Sequence, residues 1–586
     1  MLVFWQNSPA GLVLVFRFVL SSHSLLPQHG TDQLSRAGRT VSFTSYSFVF
    51  LFLPLAVAGY WLLLRLTRER AAVGWLVACS IVFYACASSR SLAIVLPSIL
   101  LDFALARRFL AVSPSRARER AVLIGCGIAA NVLFLAYFKY HNFFLSTAAT
   151  ASALPLGISF LTFQKIAFLS DVFAGETREV TFIDYLLFTS FFPRTAAGPI
   201  VHYREIIPQL RSARPERMTS DIAVGFCLFS IGLFKKCVIS EGVASFVGRA
   251  FTLHGAGPVP LIDAWTGVLA YTFQLYFDFS GYSDMALGSA RMVGIRLPMN
   301  FNSPLKATSM VDFWARWHIT LTRFLTWYIY IPLVRRLTRA RAARKQSLLR
   351  GQNSTPAAMV SLIALPTGIT MLISGVWHGV GWQFVVWGLL HGLYLAINQA
   401  WKLWRIRFWK DQQSYDRIMK PVGFLLTFGA VILGMVFFRA NSVDHALSIV
   451  AGMLGLHGIT PFSFKMLGQL GYQFDWTLVR APWDALKWIA LLFGIVMFCP
   501  NSLELMRRFH PALDFPPASQ EKGTTPDSTD EGVGASPKLQ QLWTRAMHLG
   551  KVGLPFDGVT AVVVGALFTL GAMAMGRATV FLYGAF

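Results

Sequence analysis

The chain has 586 residues, of which 55% are hydrophobic and 14% charged, and its mean hydropathy is +0.53. A soluble domain fills its core with fewer apolar residues, so this composition excludes an ordinary soluble protein. A net charge of +24 would favour nucleic-acid binding in a soluble chain. Here the basic residues lie in short connectors between apolar runs, so the expected partner is the lipid bilayer and not nucleic acid.

Residues 1–40 form an N-terminal extension, in which an apolar patch from Ala10 to Leu20 is interrupted by Arg17. The patch is too short to cross a bilayer comfortably, and no signal-peptide cleavage site follows it. A translation start assigned too far upstream, with Val41 as the true first residue, explains the extension equally well. N-terminal sequencing of the native protein tests this expectation, which fails if the native chain begins before residue 40.

From Phe48 onward, apolar runs follow one another at short intervals. A run of about 20 apolar residues crosses the ~30 Å hydrocarbon layer, whereas shorter runs favour re-entrant or protein-buried segments. The predicted fold is therefore an all-α polytopic integral membrane protein with about 11–15 transmembrane and re-entrant helices. The predicted segments include 73–87, 91–105, 264–280 and 320–334.

Composition divides the chain into four predicted parts. Residues 41–510 form the helical core, and residues 546–586 a C-terminal transmembrane helix with its tail. Between them, residues 511–545 form a polar linker or loop, whose Pro, Ser, Thr, Asp, Glu and Gly content is typical of disorder. The N-terminal extension is the fourth part.

Four basic clusters lie at the ends of apolar runs. The positive-inside rule predicts that all four face the cytoplasm. A patch that binds phosphate or anionic lipid is the alternative. The clusters are Arg65, Arg68 and Arg70; Arg107, Arg108, Arg116, Arg118 and Arg120; Arg335, Arg336, Arg339, Arg341, Arg344 and Lys345; and Lys402, Arg405, Arg407 and Lys410.

His378 lies in the uncharged stretch SGVWHGVGW, directly after Trp377 and among three glycines. Glycines let the backbone come close to a ligand, and the indole forms an apolar wall. A buried imidazole resists protonation and stays neutral, which is the form that a general base requires. The stretch therefore predicts a base that takes a hydroxyl proton during attack on a thioester. A histidine bonded to a neighbouring helix carbonyl is an equal alternative.

His318, in the sequence DFWARWHIT, is the second candidate catalytic group. It could orient the acyl carbonyl or the acceptor hydroxyl. Its neighbours Trp314, Arg316 and Trp317 fit an alternative, an aromatic and cationic anchor at the membrane interface.

His391 follows His378 in the next apolar run. On one continuous helix, at about 100° per residue, it would point away from His378, which predicts a packing role. No pair among His318, His378 and His391 has the i, i+3 or i, i+4 spacing of metal ligands, so no metal site is expected.

Asp278 and Asp284, in the sequence DFSGYSD, flank a glycine. Paired carboxylates invite comparison with glycosidases, but the membrane setting favours Arg291 or Arg296 as their ion-pair partners. No phosphate-binding loop or G-x-S-x-G elbow is found, so nucleotide and serine hydrolase chemistry are unsupported. The candidates for lining a channel or contacting substrate are Trp377, Trp314, Asp312, Arg316, Asp278, Asp284 and Ser374.

Several motifs together resemble the membrane-bound O-acyltransferase family, and within it the bacterial alginate O-acetylation branch typified by AlgI, with DltB-like D-alanyl transfer proteins more distant. The resemblance is carried in order by FVFLFLPLAVAGYWLL from Phe48, YFKYHNFF from Tyr137, LPLGISFLTFQKIAFLSDVFAGE from Leu154, FFPRTAAGPIVHYREIIPQL from Phe191, IGLFKKCVIS from Ile231, the block 276–332, SGVWHGVGWQFVVWGLLHG from Ser374 and VFFRANS from Val436.

The resemblance implies a ring of helices, thinned at its centre around a channel, so that residues 41–510 correspond to the family core. It implies that catalysis depends on His378 of the WHG element, supported by His318 of RWHIT. It further implies that acetyl passes from a cytoplasmic donor, acetyl-CoA or another acyl thioester, to an exported polysaccharide with help from periplasmic acetyltransferase partners. No bound cofactor is expected, and the implied location is the bacterial inner membrane.

Three segments depart from the family pattern: the first 40 residues, the stretch 513–540 and the C-terminal VFLYGAF. A transporter or flippase is the main rival function, although such proteins tend to contain internal repeats and none is found here. A non-catalytic scaffold of an export complex is the third possibility, for which a histidine between glycines is hard to explain.

Overall fold

A computed structural model describes residues 42–66, 68–145, 154–195, 197–255, 257–459, 476–514, 553–555 and 557–577. The predicted N-terminal extension and most of the predicted linker lie outside these residues. The described elements are all helical, which confirms the predicted all-α class.

The helices follow from the apolar runs, because a backbone in lipid must satisfy its hydrogen bonds within the segment. In chain order the α-helices are α1 Leu53–Arg65, α2 Glu69–Ala111, α3 Ala117–Leu145, α4 Ile158–Phe173, α5 Phe182–Ser190, α6 Tyr203–Arg211, α7 Met218–Phe234, α8 Glu241–Phe251, α9 Leu261–Met292, α10 Met310–Arg316, α11 Ile319–Leu325, α12 Ile331–Ala343, α13 Pro356–Met359, α14 Leu365–His378, α15 Trp382–Phe408, α16 Gln412–Arg439, α17 Val443–Met453, α18 Trp476–Phe498, α19 Ser502–Leu505 and α20 Gly558–Ala574. Short π-helical segments, Phe48–Phe52, Lys235–Ser240, Thr326–Tyr330 and Val360–Ala364, continue into neighbouring α-helices.

Within the described ranges, 6 helical stretches are long and apolar enough to cross a membrane. They are Phe48–Arg65, Glu69–Ala111, Ala117–His141, Pro215–Phe251, Pro356–His378 and Gln412–Arg439. Several of the remaining predicted segments form shorter helices. The predicted segment 320–334 lies within a continuous helical stretch from Ile319 to Ala343, formed by α11, the π-helical turn that follows it and α12. The chain is thus a multi-pass membrane protein, and the predicted central channel stays a prediction.

Helix α2 contains both predicted segments 73–87 and 91–105. Ser88, between them, has φ −166° and ψ 101°, which is extended backbone inside a run of 43 residues. The Ser88 hydroxyl accepts from the backbone N–H and from the hydroxyl of Ser91. The segment is therefore two helices joined at a kink, as the two separate apolar runs predict.

Helix α9 is the centre of the described bundle. The predicted segment 264–280 is part of this 32-residue helix, which is buried along nearly its whole length and packs against α7, α8, α16, α17 and α18. Glycines allow its backbone to touch that of α7. A Cβ on Gly288 would lie 2.5 Å from the Gly225 carbonyl oxygen, and one on Gly281 would lie 2.8 Å from that of Gly232.

Buried ion pairs surround α9. Asp284 pairs with Lys235 at 2.8 Å, and Asp278 pairs with Lys236, which also lies 3.4 Å from Glu241. The prediction of Arg291 or Arg296 as partners was wrong, because both lysines come from the π-helical segment Lys235–Ser240, which follows α7 and packs beside α9 in the fold. Arg291 pairs instead with Asp221 at 2.8 Å.

Helices α14 and α15 form a tightly packed hairpin. The chain turns at residues 379–381, where Gly381 has φ +141°, a backbone conformation that disfavours other residues. A Cβ on Gly388 would lie 2.5 Å from the Met371 carbonyl oxygen. The hairpin therefore fixes the backbone at its tip, where His378 is the last residue of α14.

Candidate active site

The His378 imidazole is buried in a cage of aromatic rings. Its ring centroid lies 4.8 Å from that of Trp377, 5.0 Å from Trp387 and 5.3 Å from Phe438. The side chain is 4% exposed. His378 ends its helix instead of lying within a span, so its position depends on the hairpin turn. The surroundings are apolar, which favours an uncharged imidazole.

His318 lies at the start of α11 in a left-handed conformation, with φ 45°. It is fully buried, and its Nδ1 lies 3.1 Å from Asn300 Oδ1. Because an amide oxygen only accepts, this contact assigns the proton to Nδ1 and the lone pair to Nε2. Asn300 is itself fixed, since its Oδ1 also accepts from Thr320 Oγ1 at 2.9 Å and its Nδ2 donates to Ser283.

The two histidines share one aromatic wall. The ring of Phe160 lies 6.1 Å from His318 and 5.4 Å from Trp377, which precedes His378. The Trp377 ring in turn lies 4.8 Å from that of His378, so two aromatic rings connect the histidines. The fold thus brings together the two residues that the sequence singles out from separate motifs.

Trp314 and Trp317 are buried, so the alternative of an interfacial anchor beside His318 was wrong. Trp317 stacks on Phe313, with ring centroids 5.7 Å apart. Helix α10 turns its polar face outward: Asp312 and Arg316 pair at 2.7 Å, about a third exposed. Of the candidates on this helix, Trp314 therefore lies toward the histidines and the ion pair does not.

The reasoning that placed His391 away from His378 was wrong, because it assumed one continuous helix. The break at residues 379–381 folds α15 back along α14. His391 lies 4.7 Å from the Trp387 ring, which also contacts His378, and its Nδ1 accepts from Trp314 Nε1 at 3.3 Å. It is therefore part of the aromatic cage, with a partner that fits a packing role.

The other candidates fall into two groups. Ser374 is fully buried one helical turn before His378, so the two side chains share a face of α14. Its hydroxyl has no hydrogen-bond partner among the described residues. Asp278 and Asp284 belong to the ion pairs around α9 and not to the aromatic cage.

Lys139 and Tyr140 of α3 are contacts of this site that the sequence does not single out. The Lys139 ammonium donates to the carbonyl oxygens of Trp377 and His378, the latter at 3.1 Å, and the Tyr140 hydroxyl donates to that of Val376. The sequence feature that could have identified Lys139 is its position inside the apolar run LFLAYFKYHNFF, because a charged residue at membrane depth is rare and usually has a function.

A neutral imidazole in an apolar cage, beside an oriented second imidazole and a buried hydroxyl, is equipped to move a proton while excluding bulk water. Among the described residues no group of three or more His, Cys, Asp or Glu could hold a metal ion. The arrangement suits transfer of an acyl group to a hydroxyl, in which the base needs no charged partner.

Comparison with known proteins decides the family. The membrane-bound O-acyltransferase family model matches residues 127–349. A peptidoglycan O-acetyltransferase from Helicobacter pylori is 37% identical over 71% of this chain and 80% of its own length. The chain belongs to the membrane-bound O-acyltransferase family. The predicted resemblance and the predicted acyltransferase class are thereby confirmed.

Other relatives of this O-acyltransferase differ in what they are named for. A probable alginate O-acetylase AlgI from Pseudomonas putida is 30% identical over 88% of this chain and 96% of its own length. A teichoic acid D-alanyltransferase from Streptococcus thermophilus is 28% identical over 48% of this chain and 68% of its own length. Membership of an enzyme family weighs against the transporter and scaffold alternatives.

Proposed function

We propose that this O-acyltransferase lies in the bacterial inner membrane and passes an acetyl group from a cytoplasmic thioester, acetyl-CoA, toward hydroxyl groups of an exported or cell-surface polysaccharide. His378 is the general base in this proposal, and His318 positions the reacting hydroxyl. The observation that carries it is the buried pair of imidazoles in an aromatic cage, in a chain whose similar relatives are named for O-acetylation of glycans.

The proposed reaction balances within the site. The imidazole of His378 takes the proton of the attacking hydroxyl as its oxygen bonds to the thioester carbonyl carbon. When the carbon–sulfur bond breaks, the thiolate takes that proton back from the imidazolium. The products are an acetyl ester and a free thiol, and His378 returns to its neutral form.

The hydrogen bond of His318 supports one of its two predicted roles. With the proton on Nδ1 and donated to Asn300, Nε2 is an acceptor. An acceptor binds a hydroxyl and repels a carbonyl oxygen, so the proposed role is to orient the acceptor hydroxyl. Ser374 Oγ is a further donor on the His378 face of α14.

The distribution of basic residues is consistent with transfer from a cytoplasmic donor to an acceptor outside the cell. The four basic clusters that the positive-inside rule assigns to the cytoplasm would attract an anionic donor such as acetyl-CoA. We propose that separate periplasmic acetyltransferase partners then pass the acetyl group to the polysaccharide, as the family resemblance implies. We also propose that residues 41–510 form the helical core of the family, residues 511–545 a polar linker or loop, and residues 546–586 a C-terminal transmembrane helix with its tail.

The test compares O-acetyl ester content of exported and cell-surface polysaccharide in strains with the native protein, His378→Ala or His391→Gln, at equal membrane levels. His391→Gln is the matched control, since it alters a buried histidine of the same cage and a side-chain oxygen can still accept from Trp314. We expect a loss of roughly a hundredfold or more for His378→Ala and near-native ester for His391→Gln.

Two outcomes contradict the proposal. Unchanged ester in His378→Ala would make His378 structural or move the acceptor elsewhere. Equal losses in both variants would mean that the cage as a whole, and not a base at His378, supports activity.

A further inference from the structure

A cavity that shares no lining residue with the aromatic cage lies between α1, α7 and α20. It has a volume of about 480 Å³ and is lined by apolar side chains, among them Val49, Leu53, Trp61, Phe226 and Phe568. Arg65 is the one charged residue among those that line it. Its shape and lining differ from those of the aromatic cage, which is filled by its own rings.

The cavity is long enough for a hydrocarbon chain. Its lining follows one face of the helix from Val49 to Leu62, about 20 Å at ~1.5 Å per residue, against the ~30 Å thickness of the hydrocarbon layer. Leu62 is 60% exposed, so the cavity is open at the bundle surface beside this span. An occupant can therefore enter sideways from the bilayer.

The charged end of the cavity is basic. The turn Pro215–Arg217 packs against α1, and Met218, which follows Arg217, lines the cavity together with Arg65. In the described part of the chain neither Arg65 nor Arg217 forms an ion pair, and Asp221 in the first turn of α7 pairs with Arg291 instead. Arg65 lines the apolar groove, and Arg217 directly precedes the lining residue Met218, so two cationic side chains without ion-pair partners are available near this end for a phosphate attached to an acyl chain.

We propose that this cavity binds one anionic phospholipid, with an acyl chain between α1, α7 and α20 and its phosphate at Arg65 and Arg217. This assigns to the first basic cluster the lipid-binding role that its sequence leaves open. It does not depend on the chemistry of the histidine site.

The experiment is native mass spectrometry of the full-length protein after exchange with phosphatidylglycerol or phosphatidylcholine. We expect preferential retention of one phosphatidylglycerol, about tenfold weaker in Arg65→Gln/Arg217→Gln. Ala58→Trp, which fills the groove, should abolish retention of either lipid at this site. Arg336→Gln, at an exposed arginine elsewhere, should behave as native protein.

Retention that is equal for both lipids, or unchanged in the double variant, would overturn the proposal. So would unchanged retention in Ala58→Trp with a native unfolding temperature, because the lipid would then be bound outside this groove. Competition by glycerol phosphate as strong as that by phosphatidylglycerol would also contradict it, because the acyl chain would contribute nothing.

A separate observation concerns the end of α14. The last carbonyls of a helix lack partners within it, and here those of Val376, Trp377 and His378 accept from two adjacent side chains of α3. The Lys139 ammonium also places a cation at the negative end of the helix dipole. We infer that Lys139 is a positioning residue, which holds the backbone of His378 for the reaction; this inference rests on the proposed function.

The test pairs transfer activity with labelling of His378 by diethyl pyrocarbonate, read by mass spectrometry. Lys139→Met should lower transfer by roughly tenfold to a hundredfold, mainly in kcat, and speed labelling of His378. Lys139→Arg should recover most of both properties. Lys420→Met, at an exposed lysine of α16 outside the four basic clusters, serves as the control and should change neither.

Unchanged labelling in Lys139→Met would overturn the inference, whatever its activity. Faster labelling with unchanged transfer would leave the positioning contact standing and would instead remove His378 from the chemistry. The two failures are therefore distinguishable.

Discussion

The helix α9 and the histidine cage are both buried, but they handle polar groups in opposite ways. Around α9, lysines and arginines neutralise aspartates, as in the pairs Lys235–Asp284 and Arg291–Asp221. Around His378, aromatic rings surround an imidazole that can be neutral without a counter-ion. Burial of a charge demands a partner, whereas a neutral base keeps its lone pair available.

This difference indicates that the ion pairs around α9 stabilise the fold, whereas the histidine cage carries out the reaction. A side chain locked in a buried ion pair cannot exchange protons with a substrate without losing its partner. A caged imidazole can do so. Variants at α9 should therefore act on folding, and variants in the cage should act on turnover.

The largest expected effect on folding is that of Lys236→Met. It leaves Asp278, which is fully buried, and Glu241 without their shared ammonium. Breaking a buried pair costs about 3–5 kcal/mol, so we expect low membrane levels and a lower unfolding temperature in detergent. Activity per folded molecule should change little. A native unfolding temperature would contradict the role given to this pair.

His318→Asn should have the opposite signature. Asparagine tolerates the left-handed backbone at this position, so the start of α11 is retained while the imidazole is lost. We expect acetyl transfer to fall about a hundredfold, with a near-native unfolding temperature. The measurement is the O-acetyl ester content of exported polysaccharide at equal membrane levels, beside the unfolding temperature of the purified protein. Loss of folding in step with activity would place His318 with the structural residues.

Gly375→Ala tests whether the cage depends on the hairpin. The added methyl would collide with the Phe384 carbonyl oxygen across the α14–α15 contact, so we expect a loss of about 1–3 kcal/mol and a further loss of turnover. Gly368→Ala, on the same helix but with open space at its Cβ position, is the matched control. Thermal unfolding of the two variants should diverge; identical curves would count against tight hairpin packing.

Asp312→Asn is expected to have the smallest effect. The Asp312–Arg316 pair is partly exposed and spaced i, i+4, so its loss should cost less than about 1 kcal/mol. Transfer should remain near native in the same assay used for His318→Asn. A large loss of turnover with intact folding would instead move this pair to the substrate path.

The sequence predicts helices well here because lipid allows few alternatives to them. Apolar patterning predicts the separate runs on either side of Ser88. The cost of charge in lipid predicts that the ionisable residues of α9 are buried in the protein, and this helix is buried along nearly its whole length. His378 and His318 were recognisable because an ionisable group in an apolar run is expensive.

Contacts between distant segments were beyond that reasoning. The partners of Asp278 and Asp284 depend on how α7 packs against α9, and the position of His391 depends on a three-residue turn. Trp314 and Trp317 look like interfacial residues in sequence, but they are buried against other aromatic rings, such as Trp387 of α15 beside Trp314. Lys139 reaches a helix end more than two hundred residues away, which no local pattern shows.

The glycine contacts between α7 and α9 have a consequence for motion. Because Gly225 meets Gly288 and Gly232 meets Gly281 backbone to backbone, sliding either helix would force side chains into the other. We therefore expect α7 and α9 to keep a fixed position relative to each other during turnover. Any opening that admits a donor or releases a product must come from helices joined by side chains alone, and crosslinking α7 to α9 should leave the catalytic cycle running.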